Sequence, residues 1–276
     1  MEKKEAQVIQ VSGFKSFYLL VIVILIVQAF FLGSLWTKVE ILKSGGVAAT
    51  AQQTGQTAGT QDQQPAVPVV GLDQVKDAFS KSLIKFGDAS SKLVLIEVAD
   101  PSCPYCHIAG GLNGSLNKQV GDRFTLVSDG GSYVAPVPEM KKLLDQGKAS
   151  FAYIYSPGHG NGEMGTKALY CAFENGKFWE VHDKLMTAEG YSLLNDTVKN
   201  DKAKSGELAT FLAGAFDEGA MKSCLDSGTY DARIGEDVSL ARSIGVQGTP
   251  GFYVNETNFA GAYSWTDMQT AVSAAL

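Results

Sequence analysis

The stretch LVLIEVADPSCPYCH, residues 93–107, decides the reading of this chain. Residues 93–98 are apolar apart from Glu97, and the run is short and ends at the turn signal Asp100-Pro101, so it predicts a buried strand. Pro104 follows Cys103 directly. Its fixed φ suits the first turn of a helix, where a missing N–H costs little. Cys103 is thereby placed at a helix N-terminus, where unpaired amides and the helix dipole favour negative charge and make the thiol easier to ionise. Cys106 stands one turn later, close enough to close a disulfide with it.

Three chemistries use this spacing. C-P-Y-C-H matches the haem-attachment pattern C-x-x-C-H, and C-x-x-C is also half of many zinc sites. A zinc site needs two further ligands at short spacing, whereas Cys171 and Cys224 are isolated. A c-type haem needs an axial Met or His in a small helical fold, and here the motif ends a strand. The strand-then-helix context favours an attacking thiol, Cys103, and a resolving thiol, Cys106.

The chain has 276 residues and a formal net charge of -6, which argues against a nucleic-acid surface, for which a basic stripe is expected. Residues 16–37 carry no charge and are rich in Val, Ile, Leu and Phe, with Lys15 and Lys38 at the borders and Tyr18 and Trp36 near the ends. That length spans a bilayer core of roughly 30 Å, so the segment reads as a transmembrane anchor rather than a cleaved signal peptide, whose apolar part is shorter. Residues 1–15 are then a cytoplasmic N-terminus. Positive charges on the two sides differ little, and orientation follows better from the cysteines. Oxidisable thiols belong on the oxidising side, which puts the rest of the chain outside the cytoplasm. Residues 38–70 continue mostly in Gly, Ala, Thr and Gln and read as a flexible linker. Residues 71–276 have the length of one domain.

Within that domain the pattern predicts a helix over 73–82 and strands over 83–86 and 93–98, then the dithiol helix, broken at Gly110-Gly111. A short strand is expected over 123–127, a loop over 129–138, a helix over 139–146 and a core strand over 150–155. Helical patterns fill 166–187, 206–225 and 230–244. A turn and a strand within 244–255, a second short strand around 258–262 and a helix from 265 to the end complete the order. This is an α/β chain with a helical insertion at about 160–244. His182 falls on an apolar helical face and reads as a core residue, while His159, in G-H-G-N-G, reads as a solvated loop histidine.

Three marks occur in order: D-P-S-C-P-Y-C-H at 100–107, C-A-F-E-N-G-K-F-W-E-V-H-D-K-L from Cys171, and G-V-Q-G-T-P-G-F-Y-V-N from Gly245. Over about 83–276 the chain resembles the DsbA family of extracytoplasmic thiol-disulfide oxidoreductases, membrane-anchored members included. The resemblance implies a thioredoxin-like fold with a helical insertion and no cofactor or metal. It makes Cys103 the nucleophile and Cys106 the resolving thiol. Pro250 matches the family's cis-proline, and with Thr249, Pro104 and Tyr105 it borders the substrate peptide. Glu97 matches the buried acid beneath the dithiol, expected to have a raised pKa and to exchange a proton with Cys106; an exposed edge-strand position is the alternative. Cys171 and Cys224, in different predicted helices of the insertion, are expected to pair in an oxidising compartment, as some relatives carry a second, structural disulfide; two buried free thiols acting as small hydrophobes are the alternative.

The implied activity is introduction of disulfides into unfolded or partly folded secreted or membrane proteins. Re-oxidation would come from a quinone-linked membrane partner of the DsbB or VKOR kind, and the chain is expected to be a monomer. Two departures bear on direction. Tyr105 stands where the best-known oxidases have His, and Thr249 is also associated with isomerase-like members. An isomerase or reductase using the same dithiol, and a non-catalytic peptide-binding or chaperone module, are the alternatives.

Overall fold

The computed structural model describes residues 70–276. The expected anchor at 16–37 and nearly all of the linker lie outside the described residues. Among the described residues no helix is long and apolar enough to cross a membrane.

The chain enters through helix α1 (Leu72–Lys81), whose Val75, Ala78 and Phe79 share one buried face. Strand β1 (Ile84–Phe86) and strand β2 (Val94–Ala99) follow. Helices α2 (Pro104–Gly110) and α3 (Gly114–Val120) come next, then α4 (Pro136–Asp145) and strand β3 (Ser150–Tyr155). The insertion comprises α5 (Glu163–Phe173), α6 (Phe178–Leu185), α7 (Ala188–Ser192), a π-helical turn (Leu193–Val198), α8 (Ser205–Leu212), α9 (Glu218–Ser227) and α10 (Asp231–Ser243). Strands β4 (Gly251–Val254) and β5 (Thr257–Ala260) and helix α11 (Trp265–Ala275) close the chain.

The sheet order is β1-β3-β2-β4-β5, with β2 and β3 parallel and the other pairs antiparallel. β2 therefore runs through the centre, which is why all six of its residues are buried and no polar-apolar alternation marks it in the sequence. Val94, Ile96 and Val98 pack with α1 and the end of α10 on one face. Leu95 and Ala99 pack on the other face with Cys103, Cys106 and the insertion helices. Covering both faces is the α/β solution to an otherwise exposed sheet. Asp237 of α10 ties the insertion to the sheet: its carboxylate accepts from the Tyr155 N–H at 3.1 Å and the Tyr170 hydroxyl at 2.6 Å and pairs with Arg233.

Several local expectations change. Residues 123–127 form no strand. Asp122–Phe124 is a 3-10 turn and Leu126 makes only an isolated bridge with Tyr133, because this segment packs in a small cluster around Ile108, Phe124 and Tyr133, away from the sheet. Helix α4 begins at Pro136, not 139, since Pro136 and Pro138 both fall in the first turn, where helical N–H groups have no partner to lose. The pattern at 206–225 divides into α8 and α9, with Asp217 accepting from Ala220 N–H at 2.8 Å to cap the second. Helix α3 and residues 188–198 were not foreseen: both are short pieces held by caps, Asn113 and Thr187, rather than by a long apolar period.

Candidate active site at the Cys103–Cys106 dithiol

β2 delivers the chain to Asp100, whose carbonyl accepts from the Cys103 N–H at 2.9 Å. Cys103 is the N-cap of α2 in extended conformation, with Pro104 in the first turn, and Gly111 ends the helix at φ 69°, a left-handed geometry that suits glycine. Cys103 and Cys106 are free thiols, Cys103 3% exposed and Cys106 wholly covered. Opposite them lies the Thr249-Pro250 peptide, which is cis. The Cys103 thiol donates to the Thr249 carbonyl at 3.5 Å, and Cys106 Sγ accepts from the Asp100 N–H at 3.4 Å.

The two thiols are driven apart in acidity. A hydrogen bond from the Cys106 thiol brings Cys103 down to about 6 from 9.0, with the amides of Cys106 and Tyr105 assisting and burial opposing. Burial pushes Cys106 well up, and the hydrogen bond to Cys103 and that neighbour's charge push it further. The arrangement gives one nucleophilic thiolate at neutral pH and one retained proton beneath it.

Glu97 lies under the pair, not on an edge. It pairs in register with Tyr153 and Phe252 in the middle of the sheet, is fully buried, and neither carboxyl oxygen has a hydrogen-bond partner in the described structure. Burial raises it from 4.5 to about 7, with the charge of His182 pulling the other way, and its own charge raises Cys106. Between pH 4.5 and 7 the folded chain thus holds a proton that the unfolded chain has lost. Stability from this group is greatest below 4.5 and falls as pH rises through 7, by about 3 kcal/mol in all. Glu97→Gln should abolish that decline. Urea unfolding midpoints across this range, native chain against variant, check it; parallel curves would contradict it.

His107 is buried, with Nε2 2.8 Å from the Pro101 carbonyl and Nδ1 3.0 Å from that of Met186. Burial brings it to about 4, so at neutral pH the ring is uncharged and donates to only one of them. It brings no positive charge to the thiolate. Tyr105 is 41% exposed, edge-on to Phe124 at 5.9 Å, and lines a cleft of about 520 Å³ with Arg123, Phe124, Tyr133, Thr249 and Tyr263. A second cleft, about 590 Å³, runs along Val246, Gly248, Pro250 and Asn258. The two flank the Thr249-Pro250 peptide.

Cys171 of α5 and Cys224 of α9 are joined by a disulfide, S–S 2.02 Å, within the insertion. His182 is buried, its ring stacked on Phe178 and its Nδ1 2.9 Å from Asp183. Among the described residues no group of three or more His, Cys, Asp or Glu side chains is arranged to hold a metal ion. The sequence reading missed Asp100. Buried, it accepts from five donors: the amides of Ser102, Gly158, His159 and Gly160 and the Ser102 hydroxyl. Its sequence signal, Asp-Pro at a strand end, reads equally well as a turn.

A sheet with this order, a buried dithiol at the N-terminus of the helix after its central strand, and a cis-proline facing it define a thioredoxin-like protein with a helical insertion. The family model described as Thioredoxin matches residues 137–274, half of the chain, and the chain belongs to that family. The match runs from α4 to α11 and begins after the dithiol. Solved structures of similar fold include oxidised BdbD from Bacillus subtilis (18% identity, 69% of this chain and 91% of that one, TM-score 0.50). DsbA of Chlamydia trachomatis gives 15% identity, 70% and 91% coverage and TM-score 0.51. A variant of alpha-DsbA1 from Wolbachia pipientis gives 14%, 74%, 95% and 0.53. Among curated proteins, Na(+)/H(+) antiporter NhaA 3 of Salinispora tropica is 24% identical over 68% of this chain, and NhaA 1 of Salinispora arenicola 25% over 68%. The chain spans about a quarter of the length of these curated relatives, 24% of each.

Proposed function

We propose that the chain is a thiol-disulfide oxidoreductase that donates the Cys103–Cys106 disulfide to client proteins on the extracytoplasmic side of a membrane. The observation that carries this reading is the split in acidity between Cys103, at about 6 with its thiol against the Thr249 carbonyl of the cis Thr249-Pro250 peptide, and a wholly covered Cys106 pushed up. In the oxidised protein a client thiolate attacks Cys103 Sγ, the Cys103–Cys106 bond breaks, and the Cys106 sulfur leaves. Glu97, titrating near 7, is suited to supply its proton. A second client thiolate then attacks the client sulfur of the mixed disulfide. Cys103 leaves as a stable thiolate, the client holds a new disulfide, and two electrons remain on the protein.

The client segment runs extended beside Thr249 and Pro250, with Pro104 and Tyr105 at its border and main-chain pairing of the strand-addition kind. In this reading residues 1–15 are cytoplasmic, 16–37 anchor the chain, 38–70 tether the domain and 71–276 form one catalytic domain. Cys171–Cys224 is structural, and a membrane redox partner restores the active disulfide. The test is trapping. Cys106→Ala, with Cys103 first charged as its mixed disulfide with glutathione, should exchange glutathione, which leaves as the thiol, for a reduced unfolded polypeptide and accumulate Cys103–client mixed disulfides resolved by thiol reductant; Cys103→Ala treated alike should accumulate none. Equal trapping by both variants would sink the assignment, and isomerase activity on a scrambled client without net oxidation would move the direction.

A further inference from the structure

The loop at 157–162, Pro-Gly-His-Gly-Asn-Gly, crosses the mouth of the dithiol site although it lies more than fifty residues after it in sequence. Apart from the exposed Pro157, the loop carries no apolar side chain to pack it there. What holds it is one buried carboxylate. Asp100 Oδ2 accepts from the amides of Gly158 at 2.7 Å, His159 at 2.9 Å and Gly160 at 3.4 Å, while Oδ1 accepts from the amide and hydroxyl of Ser102, both at 2.7 Å. The far side of the loop is fixed too. Asn161 N–H donates to Ser102 Oγ at 3.1 Å, and Asn200 Nδ2 donates to the Gly160 carbonyl at 2.8 Å.

The result is close packing at the reacting residues themselves. At Gly158 a Cβ would stand 3.2 Å from Cys103 Cβ and would overlap the Thr249 hydroxyl, so only a bare backbone passes between the loop, Cys103 and Thr249. At Gly162 a Cβ would overlap the Asp100 carboxylate. Glycine at both positions therefore serves approach rather than flexibility.

We propose that Asp100 is a positioning residue for the exchange reaction: it suspends residues 157–162 as a fixed third wall of the slot, closing one side of Cys103. A partner thiol then reaches Cys103 Sγ from the opposite side, past Tyr105, Phe124 and Tyr263. The wall restricts the reacting segment beside Cys103 to an extended chain entering from the aromatic cleft. Three amides sharing one charged oxygen make the closed position the stable one, because hydrogen bonds to an ionised acceptor are the stronger kind.

The inference rests on Cys103 being the attacking thiol, and the experiment separates the two. The full chain, reduced, is alkylated with iodoacetamide, and the Cys103 rate is divided by the thiolate fraction from its ultraviolet titration. Asp100→Asn keeps the size but turns an N–H₂ toward donors. It should raise the rate per thiolate by roughly tenfold, the order expected when a closed loop loses a hydrogen bond to a charged acceptor. The titration midpoint should stay in place, and hydrogen exchange at Gly158–Gly160 should quicken. Asn200→Gly, which removes the outer tie while tolerating that residue's φ of 61°, should act in the same direction to a smaller degree, and it decides the matter if Asp100→Asn does not fold. Rates per thiolate unchanged in the folded variants, or a change wholly explained by a moved midpoint, would overturn the wall. A native chain with no thiolate near pH 6 would instead overturn the reading of Cys103.

Discussion

Replacing Cys171 and Cys224 together by alanine is expected to lower the unfolding free energy by about 4 kcal/mol. The bond closes a loop of sequence separation 53 between α5 and α9, and a loop of that length restricts the unfolded chain far more than the folded one. Cys171 is buried among Ala168, Leu169 and Ala172, so the alanine pair leaves little void and chain entropy is the main term lost. For a domain of this size the melting temperature should fall by roughly 8–16 °C. The insertion is where the loss should appear, since α5 to α9 contribute no strand to the sheet. Unfolding by denaturant, with the Cys103–Cys106 pair in one redox state throughout, measures it. A change below about 1 kcal/mol would show that the helices need no staple.

The second large effect is electrostatic. Cys103, at about 6 in the folded reduced chain against 9.0 for an unperturbed thiol, is an acid whose folded value is depressed. Its contribution is therefore fully present above 9, is lost as pH falls through 6, and amounts to about 4 kcal/mol in all. At pH 7 about 1.4 kcal/mol of it is realised, which favours the reduced protein and makes the disulfide more oxidising by about 30 mV. The slope is opposite to that from Glu97, so between pH 6 and 7 the two partly cancel in the reduced chain. Once the disulfide forms, only the Glu97 slope remains. Thiolate absorbance against pH reads the midpoint directly: a value near 6 in the native chain, absent in Cys103→Ser, is expected, and a value above 8 would remove the basis for a good leaving group at Cys103.

The cause of the low value differs from what the motif suggests. His107 stands next to the motif, yet burial keeps it neutral, and Tyr105 turns its ring to Phe124. The thiolate depends on Cys106, on Thr249 and on the main-chain amides of Cys106 and Tyr105. Composition between the cysteines therefore governs the surface around the site more than the charge upon it.

The β2-turn-α2 unit was legible because its signals are local: an apolar run, Asp-Pro, and a proline where a helix begins. The order of elements was legible for the same reason, apart from 123–127, whose strand-like residues meet no sheet edge, α3 and 188–198, too short to show a period, and the break of 206–225 into α8 and α9. Glu97 was the harder case. One charge in an apolar run does not say which face it takes; that is settled by β3 and β4 pairing on both sides of β2. Asp100 was not legible at all as a site residue. Three of its five donors come from 58 to 60 residues downstream and are backbone amides, which leave no mark on side-chain sequence.

The most direct test of the central claim is the reduction potential of the Cys103–Cys106 pair, measured on the full chain in glutathione buffers with Cys171 and Cys224 followed separately. A disulfide donor should lie at about -180 mV or above, toward the DsbA level of about -120 mV. A value near the thioredoxin level of about -270 mV would make the protein a reductant and contradict the account.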